Sequence, residues 1–100
     1  MTKVVQLRPR HPLVGTWFHP SGDSSAEFTI TLEDGRFMVS GIDTGDNELF
    51  EITGVSWNGE ELSFIAAMPS TSWRTRHVFR LLDDVQVEHE CTTYEVWQKR

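Results

Sequence analysis

The chain has 100 residues, which is the size of a single domain. Nine Lys and Arg residues against 15 Asp and Glu residues give a net charge of −6, which disfavours nucleic acid and anionic membranes as partners. The single cysteine, Cys91, excludes an intrachain disulfide and therefore a disulfide-stapled secreted scaffold. Because the sequence has neither an apolar signal-peptide segment nor an apolar run of roughly 20 residues, it predicts a cytoplasmic protein.

The first 12 residues show no hydrophobic period, and we predict that they form a flexible arm. This arm ends in the sequence RPRHP, whose two prolines lack backbone donors and favour extended conformation. Residues 13–100 are predicted to form one domain, with no repeat and no linker.

Short segments that alternate apolar and polar side chains recur along the whole domain, and turn-forming residues separate them. No segment of ten or more residues has a helical period, and glycine or proline recurs too often to permit one. The sequence therefore predicts an all-β, antiparallel meander of about eight strands. The predicted strands are residues 14–18, 26–32, 37–43, 49–57, 62–68, 73–82, 85–91 and 94–98.

Glycines mark the predicted turns and irregularities of this meander. The dipeptides Asp34-Gly35 and Asn58-Gly59 predict tight hairpin turns, because such turns need residues that adopt positive φ easily. Gly41 and Gly54 are candidate β-bulges. A bulge at Gly54 would bring the apolar side chains on both sides of it to the core face.

Eight short strands must bury one apolar face and protect the two outer edges of the sheet. Sequential hairpins favour a small up-and-down barrel, since a Greek-key sandwich needs longer crossings. An open half-barrel and a two-sheet sandwich are the alternatives. The interior of an eight-stranded barrel is filled by side chains or holds one small ligand.

The first predicted strand contains the sequence Gly15-Thr16-Trp17. At the start of an antiparallel meander, this Gly-x-Trp resembles the calycin superfamily, which comprises lipocalins, fatty-acid-binding proteins and avidins. The resemblance extends loosely over residues 13–100. It implies a barrel closed at one end by Trp17, with Lys99 or Arg100 lying over the indole. Length and lack of a helix bring the chain nearest to avidins, but their biotin-contacting residues are not found, so no biotin site is implied.

Two of the predicted strands, residues 73–82 and 85–91, each carry a histidine on the apolar face. A three-residue loop at residues 82–84 would place His77 directly opposite His89. Two imidazoles inside a barrel, with Cys91 nearby, can bind a metal or a polar ligand group. Because no short metal-ligand spacing occurs, we predict a polar pocket lining or ordinary hydrogen-bonded core histidines instead of a metal site.

Three arginines, Arg74, Arg76 and Arg80, share the other face of the strand that carries His77. They could bind an anionic ligand or an acidic partner. The interpretation that we favour is pairing across the sheet with Glu88 and Glu90. The predicted register sets Arg76 directly opposite Glu90, which is a favourable arrangement of charges.

Most aromatic residues are predicted to fill the core. Trp57 and Trp73 lie beside turns, where an indole can pack at the rim of the barrel or form a stacking or dimer contact.

No nucleophile, phosphate-binding or dinucleotide motif occurs, so we predict no catalytic residue, no metal and no cofactor. Our first hypothesis is a lipocalin-like binding protein, not an enzyme, with an apolar pocket for a small apolar or amphiphilic ligand. The second is an interaction or structural module that forms a homodimer or binds a partner through an edge strand or the tryptophans beside the turns. The predicted pocket residues are Phe28, Ile30, Phe50, Phe64, His77, Phe79, His89 and Tyr94.

Overall fold

The computed structural model describes residues 11–100, and the first ten residues of the predicted arm lie outside this range. Within it there are eight strands and no helix, so the predicted all-β class is confirmed. Accordingly, the described range holds no helix with the length and apolarity needed to cross a membrane. The strands are β1 (Gly15–Phe18), β2 (Ala26–Glu33), β3 (Arg36–Asp43), β4 (Glu48–Leu49), β5 (Glu51–Trp57), β6 (Glu61–Met68), β7 (Trp73–Leu81) and β8 (Val87–Tyr94).

These strands form two antiparallel sheets of four strands each, in the orders β1-β2-β3-β4 and β5-β6-β7-β8. One residue, Phe50, separates β4 from β5, and its N–H donates to the Gly41 carbonyl at 3.0 Å. The predicted strand at residues 49–57 is therefore two strands, one paired with β3 and the other with β6. Within residues 11–100, β1 pairs only with β2 and β8 only with β7.

Two glycines that were predicted to form bulges have different roles. The register of β5 against β6 shifts around Gly54, as predicted. The bulge predicted at Gly41 is wrong, because the β2–β3 ladder stays regular there and sets Gly41 opposite Phe28. A Cβ atom at position 41 would lie 2.7 Å from Cδ1 of Phe28 and 2.8 Å from Cδ2 of Phe50. Glycine is needed there because two aromatic rings lie against the strand.

The two predicted hairpin turns also differ in outcome. Asp34-Gly35 forms the predicted two-residue turn, with φ values of 51° and 76°. The turn predicted at Asn58-Gly59 lies one residue later than expected. The N–H of Asn58 donates to the Glu61 carbonyl at 3.2 Å, so the two-residue loop consists of residues 59–60. The Asn58 side chain accepts two backbone N–H groups of this turn, at 2.9 and 2.7 Å. Asn58 thus caps the turn instead of forming its centre.

The hydrophobic core lies between the two sheets. Phe28 of β2 packs edge-to-face against Phe64 of β6, with ring centres 5.0 Å apart. Full burial of each such side chain is worth about 1.5–3 kcal/mol, so this contact surface holds the sheets together. The buried core residues are Leu13, Phe28, Ile30, Leu62, Phe64, Ala66 and Phe79.

The residues just before β1 cover one end of this core. Leu13 is fully buried, and the indole N–H of Trp17 donates to its carbonyl at 2.8 Å. The ring of His11 packs edge-on against Phe37 and Trp57, with centres 5.0 and 5.4 Å away. Trp57 is therefore packed at the rim of the core, while Trp17 holds the covering segment in place.

The last part of the chain departs from the prediction. One strand, β8, replaces the two that were predicted at residues 85–91 and 94–98, and residues 95–100 form no strand. The loop between β7 and β8 spans five residues, 82–86, instead of three. The backbone N–H groups of Leu82 and Asp83 both donate to the Gln86 carbonyl, at 3.0 and 3.2 Å, which stabilises this wider loop.

Candidate functional site

His77 of β7 and His89 of β8 are hydrogen-bonded to each other. Nδ1 of His77 lies 2.8 Å from Nε2 of His89, and the two rings are nearly parallel at 11°. The predicted register is wrong by two residues, because His77 is opposite Cys91 and His89 is opposite Phe79. A shift of two residues keeps every side chain on its predicted face. The two histidines therefore still meet, but diagonally.

Thr75 extends this pair into a chain of three polar side chains. Its hydroxyl lies 2.7 Å from Nε2 of His77, so both nitrogens of the buried His77 ring have partners. Burial, together with a smaller contribution from the neighbouring His89, lowers the pKa of His77 to about 4. Burial also lowers the pKa of His89, with a smaller contribution from His19. Both imidazoles are therefore neutral at pH 7.

The His77 ring belongs to the aromatic core as well as to this polar chain. It stacks on Phe64 at 20° and packs against Phe28 with ring centres 4.7 Å apart. His89, by contrast, is an exposed residue with its Nε2 turned inward toward His77. The pair thus connects the core to the surface beside β8.

Cys91 lies on the same face of β8 as His89. Although the residue is exposed, burial of its thiol raises the pKa of Cys91, and a hydrogen bond with Thr75 opposes this rise. A raised pKa disfavours the thiolate, which is the nucleophilic and metal-binding form. Within residues 11–100, no three His, Cys, Asp or Glu side chains are grouped so that they could hold a metal ion.

On the outer face of β7, Arg80 is surrounded by carboxylates. It forms ion pairs with Glu61 and Glu90, each at 3.3 Å, and a third with Glu88. Hydrogen bonds to these three glutamates raise the pKa of Arg80. The predicted pairing of these arginines with glutamates across the sheet is thus found for Arg80.

The other two arginines on this face, Arg74 and Arg76, have different surroundings. The predicted opposition of Arg76 and Glu90 is wrong, because the shifted register places Arg76 opposite Thr92. The guanidinium of Arg74 lies over the ring of Tyr94, 5.1 Å from its centre. Tyr94 was predicted to line a pocket, but it shares the outer face with Arg74.

Most of the predicted pocket residues form the packed interior. Phe50 is half-buried against the core, while His89 and Tyr94 are exposed. Of the two residues expected at the closed end, Trp17 is half-buried and Arg100 is exposed in the segment that follows β8. Five of the predicted pocket residues are buried against one another, namely Phe28, Ile30, Phe64, His77 and Phe79.

Open space lies elsewhere, between β1 and the loop that joins β7 to β8. There the structure has a cleft of about 590 Å³, which we call the β1–loop cleft. None of the eight predicted pocket residues lines it. Its lining residues are Pro12, Val14, Gly15, Thr16, Trp17, Phe18, Pro20, Leu82, Asp84, Val85, Gln86 and Val87.

Three apolar side chains of this cleft are largely open to solvent. Phe18 is 65% exposed, Leu82 is 64% exposed and Val85 is 80% exposed. Exposed apolar surface that is grouped in this way marks an interaction site more often than scattered single residues do. Sequence reasoning missed the cleft because these residues lie at a strand end and in a loop, where alternation carries no information. The sequence feature that could have indicated the cleft is the pair of apolar residues, Leu82 and Val85, on either side of the acidic residues 83–84.

No known protein family, curated protein or solved structure matches this chain. Its function is therefore inferred from the geometry of the site.

Proposed function

We propose that this protein is a cytoplasmic interaction module that binds an extended peptide segment in the β1–loop cleft. The observation that carries the proposal is the position of β1, which is an edge strand among residues 11–100 and borders an open, apolar cleft. An edge strand offers backbone N–H and C=O groups, and the cleft offers contacts for side chains. Together these are the two requirements for adding a peptide strand to a sheet.

Both faces of β1 contribute to this surface. Trp17 is half-buried toward the core, whereas Phe18 is exposed on the other face of the strand. Successive side chains of an added strand would likewise point to opposite faces. A peptide with neighbouring apolar residues can therefore contact Trp17 with one and Phe18 with the next.

The negative charge around the cleft favours peptides that carry basic residues. Asp84 lines the cleft and Asp83 precedes it in the same loop. The whole chain carries a net charge of −6. Opposite charges at the rim of an interface speed association and exclude wrong partners. We therefore expect basic residues beside the apolar residues of the bound peptide.

A library of random seven-residue peptides on phage tests this function. Selection on the wild-type protein should enrich peptides that combine neighbouring apolar residues with Lys or Arg. The Val85→Asp variant, which places a charge in the cleft, should lose this enrichment. The matched control is Leu49→Asp, because Leu49 is 68% exposed but lies outside the cleft. No enrichment, or enrichment that survives Val85→Asp, would contradict the proposal.

A second candidate function is the binding of a small apolar or amphiphilic ligand by a calycin-like protein. The volume of the cleft, about 590 Å³, supports it, because small-molecule sites usually measure about 300–1,000 Å³. In this proposal the ligand would occupy the gap between β1 and β8, the two strands that would have to meet to close a barrel. A titration with 1-anilinonaphthalene-8-sulfonate should then show saturable fluorescence that Phe18→Ser abolishes. Fluorescence that rises without saturation would count against it.

A further inference from the structure

The segment that follows β8 exposes two large apolar side chains. Val96 is 90% exposed and Trp97 is 87% exposed, the highest values among the large apolar residues of the described range. The indole N–H of Trp97 donates to the carboxylate of Glu95, two residues earlier in the chain, at 3.0 Å. We call residues 95–100 the 95–100 segment. Contact with another molecule would remove this adjacent apolar surface from water.

Building on the peptide-binding function above, we propose that the peptide bound in the β1–loop cleft is the 95–100 segment of a second copy of this chain. Each copy has the β1–loop cleft and the 95–100 segment. Two copies related by a twofold axis can therefore fill each other's clefts. Reciprocal contacts of this type close the assembly at a dimer.

The reach of the chain keeps the segment away from the loop side of the cleft in its own copy. Seven residue steps separate Val87 from Tyr94 along β8, which is about 23 Å at the rise of a strand. Trp97 lies three residues beyond Tyr94, so their Cα atoms are at most about 11 Å apart. At least about 12 Å therefore separates Trp97 from Val87 of its own chain, unless β8 leaves the sheet. The 95–100 segment of a second copy is not restricted by this distance.

The 95–100 segment matches the edge of β1 in its side chains. In extended conformation, Val96 and Trp97 point to opposite faces. β1 presents Trp17 on one face and Phe18 on the other. A segment paired with this edge would remove both of its exposed apolar side chains from water, and its backbone would pair with β1.

The charges of the two surfaces are also complementary. The segment ends with Lys99 and Arg100, while Asp84 lines the loop side of the cleft and Asp83 precedes it in the same loop. Because each copy has a net charge of −6, two copies repel each other at long range. Opposite charges at the contact offset this repulsion, so the affinity between the copies should depend on ionic strength.

Sedimentation velocity of the full-length chain, between about 1 and 100 µM, tests the proposal at the concentrations of typical weak dimers. The wild type should dimerise. Trp97→Ser and Val85→Asp should each weaken dimerisation at least about tenfold, as removal of a central apolar contact does. The control variant Leu49→Ser should dimerise like the wild type, because Leu49 lies outside both surfaces.

Mixing the two weakened variants gives the sharper test. Trp97→Ser keeps an intact cleft, and Val85→Asp keeps an intact 95–100 segment. A mixed dimer therefore retains one of the two contacts and should outnumber both homodimers in native mass spectrometry. A symmetric contact through any other face predicts no such preference.

A wild type that stays monomeric throughout this range would overturn the inference. A dimer that neither variant weakens, or a mixture without preferred mixed dimers, would overturn it equally. If phage selection still yields cleft-binding peptides in those cases, the peptide-binding function stands without self-recognition. If neither experiment gives binding at the cleft, both proposals fail.

Discussion

Nδ1 of His77 and Nε2 of His89 lie 2.8 Å apart, so one of these two nitrogens must donate and the other must accept. If both rings were protonated, two N–H donors would face each other. Protonation of His77 would also place a charge between Phe28 and Phe64, which pack against its ring. The fold therefore requires a neutral His77.

The first prediction is a loss of stability in mildly acidic solution. The pKa of His77 falls from 6.5 in the unfolded chain to about 4 in the folded protein. Between these values the unfolded chain binds more protons, so the free energy of unfolding decreases as the pH falls from 6.5 toward 4. Between pH 7 and pH 5 we expect His77 to account for about 1–2 kcal/mol of that loss. Urea denaturation at both pH values measures it.

The His77→Phe variant serves as the control for this prediction. It keeps an aromatic ring against the core but cannot be protonated. We expect a smaller decrease in the free energy of unfolding between pH 7 and pH 5 than in the wild type. An equal decrease in both proteins would show that other groups cause the acid sensitivity.

The second prediction concerns Gly41. A methyl group at this position would lie 2.7 Å from Phe28 and 2.8 Å from Phe50, well inside normal contact distance. The rings would have to move, and overpacking of this kind costs about 1–3 kcal/mol. Gly41→Ala should therefore lower the thermal midpoint, whereas Ser40→Ala, on the exposed neighbouring position, should not. An unchanged midpoint for Gly41→Ala would mean that the rings are not fixed against the strand.

The third prediction concerns the indole N–H of Trp17, which donates to the carbonyl of the buried Leu13. Trp17→Phe keeps an aromatic ring but leaves that carbonyl without its donor. An unsatisfied buried acceptor costs about 1–3 kcal/mol. We expect denaturation midpoints to fall by a corresponding amount. In Trp97→Phe the free energy of unfolding of the monomer should not change, because Trp97 is 87% exposed.

The fourth prediction concerns Arg80 and its three glutamates. Arg80→Gln removes the cation and leaves the carboxylates of Glu61, Glu88 and Glu90 close to one another. We expect a lower thermal midpoint at low salt and a smaller difference in 0.5 M NaCl, because salt screens exposed charges. Arg74→Gln serves as a comparison, since Arg74 lies over an aromatic ring and not among carboxylates. A difference that does not respond to salt would exclude charge repulsion as the cause.

Local patterns were sufficient for the central strands. β2 spans Ala26–Glu33 where residues 26–32 were predicted, since each of its buried side chains alternates with more exposed ones. Asp34-Gly35 and Gly54 were recognised because the backbone conformations that they adopt depend mainly on the residues themselves. Such features need no knowledge of distant parts of the chain.

The candidate site was predictable only in part. The sequence placed His77 and His89 on one face, and the structure joins them by a hydrogen bond. The β7–β8 loop, however, is two residues longer than predicted, so their exact pairing differs. A register depends on how a loop closes, and several loop lengths satisfy the same alternation of side chains.

Composition and alternation by themselves determined that this protein is all-β, with hairpins in sequence order and an aromatic interior. They could do so because side-chain direction along a strand is a local property with a period of two residues. Only the tertiary structure decided that the chain bends at Phe50 into two sheets and that Phe18 comes to lie near Val85. The division into sheets and the position of the cleft depend on how distant segments pack against each other, and no local pattern contains that information.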